Sequence, residues 1–295
     1  AYEIPKRDWS SDVCSSDLSF ATNEALYILD TVFHKELKVK NRGMLNVAAP
    51  DLAKDQKGKL SAIASSDVIL VVGANPVADQ PVASFFVKRA VDKGARLIVV
   101  DGTENGLAPF AYTTLPMDEI DKAVAIAARA DAPIVLYGAG VTKKAAAELK
   151  KLEGKASFVA LEPGANTYGA TAFGFNNGFK PDALKFLYVL LGEQDWDGRE
   201  IFDKLDKKAF TVVQASFVSP ATEQADVVLP MAIWSERAGS LTNTEGTVQH
   251  VSKAIEPSGE AKADWDILSL LADKLGKKVG KSLEEITAQA VKELN

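Results

Sequence analysis

One cysteine, Cys14, and two histidines, His34 and His250, stand in 295 residues. A zinc or iron–sulfur centre needs about three or four thiolate or imidazole ligands converging. The chain cannot supply such a set, and each histidine reads as a surface or internally satisfied side chain. Long apolar runs are lacking too. The longest, Val68 to Ala74 and Ala183 to Gly192, fall far short of the roughly 20 residues that span a bilayer, so no direct membrane insertion is expected. Excess positive charge is missing as well: 34 Lys and Arg face 40 Asp and Glu, for a net charge of −6. The two signs are interspersed along the whole chain. Nucleic acid would need a concentrated basic face and is not an expected partner. No charged-then-apolar leader opens the sequence, which makes the cytoplasm the expected compartment. Catalytic signatures are equally scarce. There is no Gly-x-Ser-x-Gly elbow, no Walker loop and no His-Glu-x-x-His, and the carboxylates are spread as on a solvated face.

What is present is a chain of 47% hydrophobic residues, enough for one large core or two modest ones. Its first residues stand apart. Ser10 to Leu18 writes Ser-Ser-Asp twice around Val13 and Cys14 and has neither a helical nor a strand period. From Ser11 to Leu18 it resembles the translation of a sequencing-library adapter. Residues 1–18 are therefore read as a non-native leader, with native sequence lost upstream of Ser19.

After Ser19, apolar strands alternate with amphipathic helices, the mark of a mostly parallel, doubly wound α/β sheet covered by helices on both faces. The pattern predicts helices over Asn23–His34, Pro81–Val91, Asp118–Ala130, Thr142–Leu152 and Asp264–Leu275. It predicts buried strands over Val68–Val72, Arg96–Val100, Pro133–Tyr137, Ser157–Leu161, Leu184–Leu191, Phe210–Gln214 and Val227–Leu229. The helix after the first strand should turn Val82, Phe85, Phe86 and Ala90 inward, and the Asp264 helix Trp265, Leu268, Leu271 and Leu275. Ser282-Leu283-Glu284-Glu285 has the pattern that caps a final helix. Two Rossmann-like lobes are expected, residues 19–131 and 132–277, followed by a C-terminal helix over 278–295.

Open α/β sheets collect ligands at the carboxyl ends of their strands. Gly73-Ala74-Asn75-Pro76 lies there after the first strand, and Asp101 ends the next. Gly73 allows close backbone approach, Asn75 offers an amide donor and acceptor, Pro76 fixes the exit, and Asp101 could accept hydrogen bonds from a ribose or a guanine edge. A plain βα turn uses the same residues, so the local pattern leaves both readings open. A second turn, Gly138-Ala139-Gly140-Val141-Thr142-Lys143, begins like a dinucleotide fingerprint with Glu162 downstream. Lys143 replaces its third glycine, so it is read as a structural turn.

A longer pattern gathers late in the chain: Ala225-Asp226-Val227-Val228-Leu229-Pro230, Glu236 to Gly239, Thr242 to Gln249, Pro257 to Ala261 and Asp264-Trp265. Together with Thr22-Asn23-Glu24, Gly73 to Pro76 and the strand ending at Asp101, it resembles the molybdopterin oxidoreductase superfamily over nearly everything after Ser19. In molybdenum enzymes such as formate dehydrogenase, the resemblance implies that Gly73, Asn75, Pro76 and Asp101 help hold a pterin dinucleotide. In the G subunit of NADH-quinone oxidoreductase, respiratory complex I, it implies a similar fold that is generally empty. There, iron–sulfur clusters belong to an N-terminal region missing here, and the partners are other members of the peripheral arm, beside the inner membrane on its cytoplasmic side. The stretch Ala160 to Phe175 and an end soon after the Trp265 helix resemble the G subunit more. Thr247 stands where the family usually has arginine, which weakens an anion contact there. The expectation is a non-catalytic scaffold without metal or catalytic residues, holding molybdopterin only if the molybdenum-enzyme resemblance governs.

Overall fold

The computed structural model describes residues 18–44, 48–52, 58–101, 105–175, 184–193, 202–205 and 209–294. The leader, apart from the buried Leu18, lies outside them, as does Cys14. The chain forms two compact units, one of Ala48–Gly164 and one of Ala1–Val47 with Ala165–Asn295.

The continuous unit holds five strands: β1 (Val68–Val72), β2 (Arg96–Val100), β3 (Thr113–Leu115), β4 (Pro133–Tyr137) and β5 (Ser157–Ala160). They pair in parallel in the order β3-β2-β1-β4-β5. Parallel strands must be covered on both faces, and β1 reads Val-Ile-Leu-Val-Val with every residue buried. Val68, Leu70 and Val72 meet Ile120, Val124 and Leu149 on one face, while Ile69 and Val71 meet Ala83, Val87 and Ala90 on the other. Each large apolar side chain contributes about 1.5–3 kcal/mol on burial. The expected boundary at 131/132 falls inside this sheet, because β4 pairs with β1 from Val68↔Pro133 to Val72↔Tyr137. Ladder hydrogen bonds and shared cores keep residues 132–164 with the first lobe.

The helix Pro81–Asp92 forms where expected, and Gly94 follows it at φ 102. Its inward face matches the expectation at Ala90 and, half-buried, at Phe86, and differs elsewhere. Ala83, Val87 and Ala90 are buried, whereas Val82 and Phe85 are more than half exposed. Ala83 and Ala90 let the helix axis approach the sheet, with Val87 between them, and Val82 and Phe85 lie on its flank.

In the discontinuous unit, β6 (Phe186–Gly192), β7 (Phe210–Ala215) and β8 (Val227–Pro230) form a parallel sheet in that order, and β9 (Gly239–Thr242) and β10 (Val248–Val251) an antiparallel hairpin. The strand β8, expected to be buried, is an edge strand with Val227 and Val228 exposed. The expected helix Asn23–His34 is α-helical only over Asn23–Leu29 and widens into a π-helix over Asp30–Glu36. The helix Asp264–Lys274 buries Ile267, Leu268 and Ala272 rather than the expected Trp265 and Leu271. The last helix, Leu283–Leu294, follows Ser282, whose Oγ accepts the Glu285 amide at 3.3 Å.

Candidate functional site

In the five-stranded sheet, β2 lies on one side of β1 and β4 on the other. The connections leaving β1 and β4 therefore diverge, and a crevice opens at their carboxyl ends. The cleft found there has a volume of about 590 Å³, within the usual range of roughly 300–1,000 Å³ for small-molecule sites. Gly73, Asn75, Pro76 and Asp101, singled out from separate stretches of sequence, all line it. So do Gly138 and Gly140 of the second glycine turn, with Asp79, Gln80, Met117 and Leu161.

The two glycine turns close on each other. Gly140 donates its amide to the Gly73 carbonyl at 2.9 Å. A Cβ on Gly73 would sit 2.5 Å from the Gly140 carbonyl carbon and the Val141 nitrogen, and one on Gly138 or Gly140 would lie 2.7–2.8 Å from the Gly73 oxygen. Gly73 also adopts φ 59, a conformation costly for other residues. The second turn thus packs against the first and is also a wall of the cleft. The adjacency of β1 and β4 that creates this wall is a property of strand order and leaves no local signal.

Asp101 continues the rim. Its Oδ2 lies 3.3 Å from Nδ2 of Asn105, which donates at 2.7 Å to the Ala74 carbonyl. The Asn75 Oδ1 accepts the Gly106 amide at 3.2 Å. The loop after β2 is thereby tied to the turn after β1. Below the rim, Glu162 is buried and accepts the Ala49 amide at 3.0 Å. Burial raises its pKa against the lowering effect of that hydrogen bond. Burial likewise pushes the Tyr137 hydroxyl up to about 12, although the Leu52 backbone hydrogen bond lowers it.

The lining decides which ligands suit this cleft. Among its described residues the only charged groups are Asp79 and Asp101, and no cation lines it. The side of Gly73, Gly138 and Gly140 on which a Cβ would stand is taken up by the opposing turn, while their backbones still line the cleft. The cleft can offer neutral or anionic acceptors, an amide and apolar faces. Among the described residues no group of three or more His, Cys, Asp or Glu is placed to hold a metal ion.

The late sequence pattern lies in the other unit, where it builds a buried polar core. Asp264, fully buried, accepts hydrogen bonds from the Thr22 amide at 2.7 Å, the Thr22 hydroxyl at 3.0 Å and the Trp265 amide at 2.9 Å, and meets Arg237 at 3.3 Å. Glu24 accepts the Ser240 amide and hydroxyl, each at 2.8 Å. Asn166 accepts the Thr242 amide at 2.7 Å and donates to Asn23 at 3.0 Å. These charges and amides satisfy one another, as buried polar groups must. At the end of β6, Glu193 sits 3.5 Å from Arg237, and burial raises its pKa although that cation opposes the shift. Asn166 lies in the Ala160 to Phe175 stretch noted in the sequence, though not as a site residue. Glu193 was not singled out, since it carries no local motif that distinguishes it from a surface residue.

The model of a family described as molybdopterin oxidoreductase matches residues 7–274. The chain belongs to the molybdopterin oxidoreductase family. Within that family it is similar to the F420-dependent formate dehydrogenase subunit alpha of Methanocaldococcus jannaschii, 45% identical over 97 residues, 32% of this chain and 14% of that protein. It is also similar to the G subunit of the NADH-quinone oxidoreductase of Rickettsia felis, 36% identical over 137 residues, 46% of this chain and 20% of that protein. The aligned part is thus a fifth or less of either relative. Acetylene hydratase from Pelobacter acetylenicus shares the molybdopterin oxidoreductase fold, with a TM-score of 0.52 and 13% identity over 95% of this chain and 56% of that one. No described helix is long and apolar enough to cross a membrane.

Proposed function

We propose that this chain is a non-catalytic scaffold domain of the G subunit of an NADH-quinone oxidoreductase, held against other members of the peripheral arm at the cytoplasmic side of the inner membrane. Electron transfer from NADH to quinone would belong to the whole complex and to iron–sulfur clusters outside this chain. The observation that carries this reading is the cleft between β1 and β4. Its glycine turns are packed against each other, and the only charges among its described lining residues are the carboxylates of Asp79 and Asp101. An anionic dinucleotide would meet repulsion there and no compensating cation. The alignment with the Rickettsia felis protein, which reaches across 46% of the chain, supports the same reading. Metal analysis and acid extraction of the purified protein should yield neither molybdenum nor pterin; stoichiometric pterin would refute it.

A second reading draws on the higher local identity, 45%, to a formate dehydrogenase. In it the chain is part of a molybdenum enzyme, with Asn75 and Asp101 at the nucleoside end of the cofactor. Asn75→Ala and Asp101→Ala would then lower pterin occupancy in the complete protein, and unchanged occupancy would reject those roles.

A further inference from the structure

We propose that the exposed face of the helix Pro81–Asp92, with the segment from Ala108 to Tyr112 beside it, docks an acidic polypeptide segment that also carries apolar or aromatic side chains. This names the face by which the scaffold domain would be held, and so rests on that reading. Three aromatic rings lie open here. Phe85 is 57% exposed, Phe110 45% and Tyr112 67%, with Val82, one turn before Phe85, at 60%. Single exposed apolar side chains are ordinary, whereas a cluster marks an interaction site. The residues share one side of the five-stranded sheet, because Phe86 and Ala111 pack on the same core as Ala83 and Val87. The Tyr112 amide donates at 2.8 Å to the carbonyl of Leu97, a member of that core. Cations hold two of the rings: the Arg89 guanidinium stands over Phe85 at 5.5 Å, and the Lys88 ammonium over Phe110 at 5.1 Å. Aromatic rings and arginine carry most of the binding energy at protein interfaces, and holding them in place beforehand lowers the cost of association.

Charge decides the occupant. Val82, Phe85, Arg89 and Lys93 recur at three- and four-residue spacing, which makes one stripe along the helix and its cap. Lys88 is paired with Asp92. Among the described residues no carboxylate pairs with Arg89 or Lys93, both exposed. In a chain of net charge −6, the stripe thus has an apolar end and a cationic end that lacks counter-charge. Its complement is a segment with apolar side chains followed by carboxylates about one helical turn further on. A nucleic acid suits the face poorly, since two unpaired cations beside Asp92 neutralise few phosphates. A second copy suits it poorly too, because the only carboxylate on this helix is Asp92, which Lys88 already holds.

The test is fluorescence anisotropy of labelled probes titrated with the full chain: a random copolymer of glutamate and tyrosine, polyglutamate of equal length, and a single-stranded oligothymidylate. The expected result is saturable, salt-sensitive binding of the copolymer, at least about tenfold tighter than either control. Arg89→Glu and Phe85→Ser should each weaken it by about tenfold or more. Lys278→Glu, at an exposed position of the other unit, should leave it unchanged. Hydrogen exchange across the helix Pro81–Asp92 confirms that the variants remain folded. No saturable binding of the copolymer would overturn the proposal, as would affinity indifferent to Arg89→Glu and Phe85→Ser, or either control binding as tightly. Self-association in sedimentation that Phe85→Ser abolishes would overturn it as well, by giving the face to a second copy. Pterin content is measured separately, so failure of the scaffold reading and failure of this one are distinguishable.

Discussion

Alanine at Gly73 should injure the protein far more than alanine at Gly259, although both glycines have φ 59. The backbone penalty is common to the pair, about 1–2 kcal/mol for placing an L-residue in the left-handed region. Surroundings separate them. Around Gly259 nothing lies within 4 Å of an added Cβ, whereas at Gly73 the Gly140 carbonyl carbon and Val141 nitrogen would both be at 2.5 Å. Those atoms are backbone, fixed by the Gly140 to Gly73 hydrogen bond and by the β1 to β4 ladder. Forcing them apart adds an overpacking cost of about 1–3 kcal/mol, for a total of roughly 2–5 kcal/mol at Gly73. Native-state hydrogen exchange reads each effect where it acts. Peptides covering β1 and β4 report Gly73→Ala, and peptides covering Asp264–Lys274 report Gly259→Ala. The excess at Gly73 corresponds to about 10- to 100-fold faster exchange of the slowest amides. Equal effects at the two positions would refute the claim that the turns are locked together.

The other perturbations test the buried groups. Asp264→Ala leaves Arg237 buried beside an empty space and should destabilise the discontinuous unit by about 3–5 kcal/mol. Urea unfolding followed by tryptophan fluorescence measures this, and a loss below about 1 kcal/mol would show that Glu193 alone suffices to pair Arg237. Glu162 has a folded pKa raised above its ordinary value of 4.5. The native state therefore keeps a proton that the unfolded chain has released, and stability falls as pH rises from 4.5 through the folded value. Glu162→Gln can still accept the Ala49 amide, so it should raise the urea midpoint at about pH 7.5 more than at about pH 4.5; an equal shift at both would reject burial as the cause.

How much of this was legible in the sequence depended on whether the deciding interactions were local. The strands β1, β2 and β4 were readable residue by residue because each is a largely apolar run, rich in Val and Ile, closed by Gly or Asp. The inward face of Pro81–Asp92 was legible only in part, at Ala90 and Phe86, since hydrophobicity favoured Phe85 and Val82 while close packing on the sheet selected Ala83 and Val87. The widening to a π-helix at Asp30 leaves the apolar spacing nearly intact and so escapes a periodicity argument. At the candidate site, Gly73, Asn75, Pro76 and Asp101 could be found from their places after strands. The Gly138 turn joined them only through strand order, Asp79 and Gln80 follow Pro76 in the same connection without a motif of their own, and the lack of a cation in the described lining became visible only when all were brought together.

The interrupted layout of the unit that contains Asp264 has a consequence for how the protein is made. The Thr22 to Asp264 hydrogen bonds join residues 242 apart, with the whole of Ala48–Gly164 between them. At about 5–20 residues per second, the helix beginning at Asn23 leaves the ribosome some 10–50 s before its buried partners are synthesised, a wait of roughly that order following from the same rate. The central sheet, whose strands all lie in one stretch of chain, can form during that wait. The apolar face of Ala25, Leu26 and Leu29 meanwhile has no native core to enter, which makes it the segment a nascent-chain chaperone would hold.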